Sequence, residues 1–299
     1  MLLEQMDTCP DCRSLAPLLQ GLCRRWGDGR VFQAGRSLLG HPLPVLALGR
    51  PAAPVLMVGG VHGGEYITTA LLLRFAEELL RRRTLGEGFC GLDLSRALDE
   101  RGLLILPCLN PDGVEIARQG PGAAGHYRPL VESLWQKDCP WQANARGVDL
   151  NHNFDAGWQT LQAMEQAKGI FGPAPGGYGG SCPHSEPESR AAADLCLRGN
   201  ISALYTFHSQ GEELYWYYGS RTPQRAAAMA RLLAGCCGYR MALPTGTAAH
   251  GGLKDWFIEK TGRPGFTFEV GRGKNPLPDS QLGPIYRKLR EALAAALVL

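Results

Sequence analysis

The chain has 299 residues, 39 of them Gly and 21 Pro, with 20% charged and 44% apolar. That balance excludes a disordered acidic tail, a coiled coil or a long helical array, which carry more charge and less glycine. Against 28 Asp+Glu stand 31 Lys+Arg, a net charge of +3, so the basic excess of a nucleic-acid binder is missing, and no stretch approaches the ~20 apolar residues of a membrane span.

Residues 1–11 carry Glu4, Asp7 and Asp11 and no basic segment. No secretory signal is expected there, and the expected compartment is the cytoplasm. In that reducing setting the cysteines at 9, 12, 23, 90, 108, 139, 182, 196, 236 and 237 read as thiols, mostly small apolar fillers. Cys9 and Cys12 have the spacing of a redox or half-zinc motif, yet no strand precedes them and no second CxxC completes a four-thiolate site. Residues 1–40 read as a segment packing on, or leading into, a main unit over 41–299.

Residues 54–61 (PVLMVGGV) form a continuous apolar run, as in a strand buried on both faces. A helix is predicted over 65–83, with Ile67, Leu71, Phe75 and Leu79 at fourfold spacing. Arg81, Arg82 and Arg83 then form its cationic last turn, which complements the helix dipole. Residues 102–108 (GLLILPC) are a second buried strand. The zone 110–185, rich in Gly, Pro and Trp, is too long to be idle loop and reads as the walls of an active site. Beyond it come a helix over 186–198, strands over 201–207 and 213–218, and a helix over 223–235. A strand over 264–270 and a helix over 284–297 close the chain. Strand–helix alternation predicts an α/β fold with helices on both faces of a sheet. Glu186 and Glu188 flank Pro187 as in the opening turn of that helix, rather than forming a second metal site with His184.

The polar groups sit where the apolar strands stop. His62-Gly63-Gly64-Glu65 follows the first strand, His208 follows residues 201–207, and Glu269 lies near the end of the last strand. In α/β sheets the ligand crevice lies beyond the carboxyl ends of the strands. Two imidazoles and one carboxylate, with a fourth position for water, are the ligand set of a catalytic zinc. Glycines 63 and 64 permit a tight turn that returns Glu65 towards His62.

The ordered blocks His62-x-x-Glu65, Asn110-Pro-Asp-Gly113, Arg146-Gly-Val-Asp-Leu-Asn-His-Asn-Phe154, Phe207-His-Ser209 and Phe268-Glu269 resemble the zinc carboxypeptidase family. Within it, Gly251-Gly-Leu-Lys-Asp-Trp-Phe257 and Tyr178-Gly-Gly180 resemble bacterial γ-D-glutamyl-diaminopimelate peptidases and murein peptide amidases. The resemblance implies a single-domain mixed β-sheet with helices on both faces. It implies one Zn2+ per chain on His62, Glu65 and His208, with Glu269 as general base towards a water activated by the metal. Asn151 matches an Asn that helps hold the carboxylate of the leaving portion.

His152 stands where many digestive relatives carry an Arg that clamps the terminal carboxylate. An imidazole is shorter, lacks the bidentate fork and is only partly charged at pH 7. His152 itself, Arg146, Arg128 and Arg272 are the candidate substitutes, Arg272 preferred because it follows Glu269 by three. Trp141-Gln142 occupies the neighbourhood of the family's oxyanion Arg, and its loop Tyr has no clear match, Tyr205, Tyr215 and Tyr239 reading equally as core or rim residues. His250, beside two glycines, is a candidate substrate contact.

The expected activity is hydrolysis of a peptide or isopeptide bond in short cell-wall peptides, with a small peptide as partner and neither nucleic acid nor membrane; nothing in the sequence sets an oligomeric state. A carboxypeptidase acting on ordinary L-peptides, a deacylase of N-acyl amino acids, and a non-catalytic module that binds cell-wall fragments are the alternatives.

Overall fold

The computed structural model describes residues 8–49 and 52–299. In chain order the described residues form α1 (Leu15–Trp26), β1 (Arg30–Arg36), β2 (Pro42–Leu48), β3 (Val55–Val58), α2 (Ile67–Thr84), α3 (Leu94–Arg101) and β4 (Leu103–Leu106). There follow α4 (Pro111–Gln119), α5 (Arg128–Leu134), α6 (Trp158–Ala167), α7 (Pro187–Arg198), β5 (Ala203–His208) and β6 (Glu213–Tyr215). The chain ends with α8 (Arg225–Cys237), β7 (Arg240–Ala242), α9 (Leu253–Thr261), β8 (Gly265–Glu269) and α10 (Leu282–Ala296).

The strands make one mixed sheet of eight, in the order β1-β2-β4-β3-β5-β8-β6-β7. Four central neighbours, β4, β3, β5 and β8, run parallel, while β2 and β6 flank them antiparallel. Side chains alternate across a strand, and both faces are buried. Val55, Met57, Tyr205, Phe207, Phe266 and Phe268 pack with α1, α2, α8 and α10 on one face. Leu56, Val58, Leu104 and Leu204 pack with α7 and α9 on the other.

That second face changes character along β5 and β8. Leu204 belongs to the apolar cluster, but the same face continues as Thr206 and His208, paired with Thr267 and Glu269. The two threonine hydroxyls bond each other at 2.8 Å. The carboxyl ends of the parallel strands are therefore polar on one side, and the cavity opens there.

The strand expected over 54–61 keeps its ladder only from Val55 to Val58. Gly60 turns the chain with φ +55°, so close to Thr69 and Cys108 that a Cβ would meet Thr69 Oγ1 at 2.6 Å. The strand expected over 213–218 stops at Tyr215. The zone 110–185 is less irregular than its composition suggests, because it holds α4, α5 and α6. The start of α4 is written in the sequence: Asn110 caps it by accepting from Gly113 N at 2.9 Å, and Pro111 takes the first position. Ahead of residue 41 the chain supplies α1 and the edge strand β1, which pairs with β2. Among the described residues no helix is long and apolar enough to cross a membrane.

Candidate active site

Gly63–Glu65 form a single 3-10 turn between β3 and α2, so Glu65 precedes the α-helix instead of opening it. The turn is locked from outside. Gly63 N donates to Gln142 O at 3.0 Å, and the Asn110 amide donates to Val61 O at 3.1 Å and to Ala143 O at 3.2 Å.

Three groups converge at this point. His62 Nδ1 lies 3.0 Å from Glu65 Oε1, His208 Nδ1 lies 3.0 Å from Glu65 Oε2, and the two Nδ1 atoms are 3.2 Å apart. Among the described residues this is the one cluster whose ligand atoms could hold a metal ion. Burial raises the pKa of Glu65, but the His62 charge and the hydrogen bond from His208 outweigh it and bring it down to about 2. Ser209 N and the Asn275 amide also approach the Glu65 carboxylate, at 3.2 and 3.4 Å.

Asp149 completes the setting. Its Oδ1 accepts from His62 Nε2 at 3.2 Å; in a neutral, metal-holding ring that bond would leave Nδ1 to face the cluster. Its other oxygen accepts from Gly177 N at 2.9 Å. The carboxylate is held far below its ordinary range, since the His152 and His62 charges and these bonds overcome burial. For His62, burial opposes the charged form, and Glu65 and Asp149 reverse that, so its pKa rises.

Glu269 lies beside His208 in the β5–β8 register and beside Glu213 in the β6–β8 register. Its pKa is raised well above the carboxylate range by burial first, then by repulsion from Glu65 and Glu213.

His62, Glu65, His208 and Glu269 share one cavity of about 660 Å³. Asn151 and His152 line it too. Asn151 Oδ1 accepts from Leu253 N at 3.2 Å, which ties the residue to the start of α9. His152 Nδ1 faces Glu165 Oε1 at 2.8 Å; burial lowers its pKa, and the Asp149 and Glu165 carboxylates more than restore it.

The structure does not bring the expected arginines to this cavity. Arg272 is turned outward, its side chain 77% exposed and paired with Glu212 at 2.7 Å. Between it and Glu269 the backbone bends at Gly271, where φ is +70°. Arg146 bonds Glu186 at 3.3 Å and Tyr127 at 3.4 Å, and Arg128 pairs with Glu132 on its own helix. Gln142 lines the cavity. Of the three tyrosines, Tyr215 lines it, whereas Tyr205 and Tyr239 are core residues. His250 sits outside the lining, beside Gly157. Cys9 and Cys12 are buried free thiols, and Glu186 caps α7 with Pro187 in its first turn, as expected.

Sequence reasoning assigned no role to Asp149, Glu165, Lys254 or Asp255. Lys254 and Asp255 are nearly fully buried, at 4% and 2% exposure, and both line the cavity. The available signal was a Lys-Asp pair set between Leu253 and the apolar run Trp256–Ile258 at the head of a helix.

Comparison with known proteins places this geometry. The zinc carboxypeptidase family model matches residues 29–292. Gamma-D-glutamyl-L-diamino acid endopeptidase 1 of Lysinibacillus sphaericus is 33% identical over 270 residues, 89% of this chain and 66% of that protein. Uncharacterized protein YqgT of Bacillus subtilis (strain 168) is 32% identical, over 89% of this chain and 71% of that protein. The chain thus spans about two thirds of the length of these relatives. The fold is that of bovine thrombin-activatable fibrinolysis inhibitor, solved in complex with tick carboxypeptidase inhibitor: TM-score 0.73, 22% identity, 97% of each chain covered.

The donors present fit the family's single zinc. Two imidazole nitrogens each about 2.0–2.1 Å from one tetrahedral zinc stand about 3.3 Å apart, close to the 3.2 Å between the Nδ1 atoms here. Each of those nitrogens is also aimed at the same carboxylate. On sequence, fold and this donor set, the chain belongs to the zinc carboxypeptidase family.

Proposed function

We propose that this protein is a zinc peptidase that hydrolyses the γ-D-glutamyl–diaminopimelate bond of short cell-wall peptides. The observation that carries the reading is the parallel pairing of His208 with Glu269, which sets a carboxyl group of raised pKa beside a three-donor metal cluster in one cavity. The choice of bond is supported by the relation to gamma-D-glutamyl-L-diamino acid endopeptidase 1 and by the lack of an arginine among the described residues that line the cavity.

His62, Glu65 and His208 would hold the zinc, which when bound would supply a Lewis acid towards the scissile carbonyl and a water of lowered pKa. Glu269 accepts the proton of the attacking water and delivers it to the leaving amine. Asp149 holds His62 in the tautomer that keeps Nδ1 free for the metal. Asn151 and His152 hold the carboxylate of the leaving residue, with Asp149 and Glu165 raising the pKa of the imidazole against burial. The substrate is a small peptide, and ten free cysteines support a reducing cytoplasm as its compartment.

The test is hydrolysis of L-Ala-γ-D-Glu-diaminopimelate against its α-linked counterpart, with a chelator and with zinc restored. Zinc-dependent cleavage of the γ-linked peptide alone is expected. Cleavage of a hippuryl L-peptide with none of the γ-linked one would replace this reading by an ordinary carboxypeptidase. Cleavage of neither points to an N-acyl amino acid deacylase.

A further inference from the structure

We infer that Lys254 and Asp255 read the far end of the leaving residue, binding a side chain that terminates in both an amino and a carboxylate group. This rests on the peptidase reading above and specifies the diamino acid that the site accepts. Among the described residues lining the cavity, Lys254 is the one lysine and no arginine is present.

Its ammonium donates to Asp255 Oδ1 and, at 3.1 Å, to Tyr217 O. Among the described residues that leaves one of its three N–H groups for a guest. Asp255 is complementary: Oδ1 takes the lysine, and Oδ2 accepts no bond among the described residues. Room is left above Oδ2 because Gly252 has no side chain; a Cβ there would stand 2.9 Å from that oxygen. Gly252 also lines the cavity.

An ion pair this deep costs several kcal/mol of desolvation per ion, and apolar side chains of equal size would pack there with equal or better stability. Its placement on a cavity wall points to recognition. The chemistry of the guest follows from the pair. A pocket for a lone ammonium needs the carboxylate without the lysine, and a pocket for a lone carboxylate needs the reverse. Here both signs are offered together, so the match is a head carrying both, its carboxylate on Lys254 and its ammonium on Asp255.

The position within the cavity agrees. Asn151 Oδ1 accepts from Leu253 N, next to the pair, so the carboxylate site of Asn151 and His152 adjoins Lys254. A leaving residue anchored by its α-carboxylate can extend its side chain to the pair. Diaminopimelate ends in such a head; lysine ends in the ammonium alone.

The experiment compares kcat/KM of the zinc-loaded enzyme on γ-D-glutamyl dipeptides of meso-diaminopimelate, L-lysine, L-α-aminopimelate (distal carboxylate only) and L-norleucine. The two-headed substrate is expected to lead each single-headed one by about 10–10³-fold. In the double variant Lys254→Met, Asp255→Asn, which leaves no unpaired buried charge, the four rates are expected to converge. A wild-type enzyme indifferent among the four, or a folded, zinc-loaded double variant that keeps the preference, overturns the inference while leaving the peptidase reading intact. Cleavage of no γ-D-glutamyl substrate overturns the bond assignment itself, and this inference with it.

Discussion

His208 and Glu269 are direct neighbours across the parallel pairing of β5 and β8, with their Cα atoms in register. Strand pairing, rather than a loop, therefore fixes the spacing between an imidazole of the candidate metal cluster and the buried Glu269 carboxyl group. Sites built on strands are held more tightly than sites on loops. For Glu269→Gln we expect kcat to fall by about 10²–10⁴-fold, with zinc content and thermal midpoint near wild type. Parallel zinc analysis separates this outcome from loss of the metal, and an active Gln variant would remove Glu269 from the reaction.

Asp149 lines the cavity beside the cluster and bonds His62 and the backbone N–H groups of Asn151 and Gly177. Asp149→Asn keeps the shape but accepts the histidine proton more weakly. Zinc affinity is expected to drop about 10–100-fold, as measured by competition with a chelating dye. Chelation of the wild type is also expected to lower its thermal midpoint, because the ion binds the native state and not the unfolded chain.

Gly63 is tightly enclosed. A Cβ there would lie 2.3 Å from Gly113 O and 2.7 Å from Trp141 O, both backbone atoms that cannot swing aside. Gly63→Ala is expected to cost about 1–3 kcal/mol of stability and to weaken zinc binding, since the shift falls between His62 and Glu65. Gly122→Ala, where nothing lies within 4 Å, is the control in urea unfolding and is expected to be near neutral.

Glu188 lies outside the active cavity, buried under the turn that joins β1 to β2, where it accepts from Leu38 N at 2.8 Å. Burial, with added repulsion from Asp112 and Glu186, pushes its pKa up to about 8. The native state therefore holds this proton more tightly than the unfolded chain does. The stability it contributes is full below about pH 4.5 and is lost as pH rises to about 8. Glu188→Gln is expected to flatten that part of the stability–pH curve, read from urea midpoints between pH 5 and 8.5. A variant that tracks the wild type over the whole range would show that Glu188 does not carry the dependence.

The chemistry of the site was legible in the sequence because its members sit at strand ends. His62, His208 and Glu269 each follow an apolar run, and parallel strands deliver their carboxyl ends to one edge. The turn at 63–65 was legible from its glycines, and the start of α4 from Asn110 and Pro111, although the zone around it read as loop. The directions of side chains outside the strands were not legible. Arg272, three residues after Glu269 and just past the bend at Gly271, faces solvent. Lys254 and Asp255, residues that composition assigns to a surface, are buried against the cavity. Local pattern determines which residues end a strand, since periodicity and turn chemistry act over a few positions. Which charges then meet across the cavity depends on the packing of β5, β8 and α9, contacts between segments far apart in the chain, and only the tertiary structure decided those.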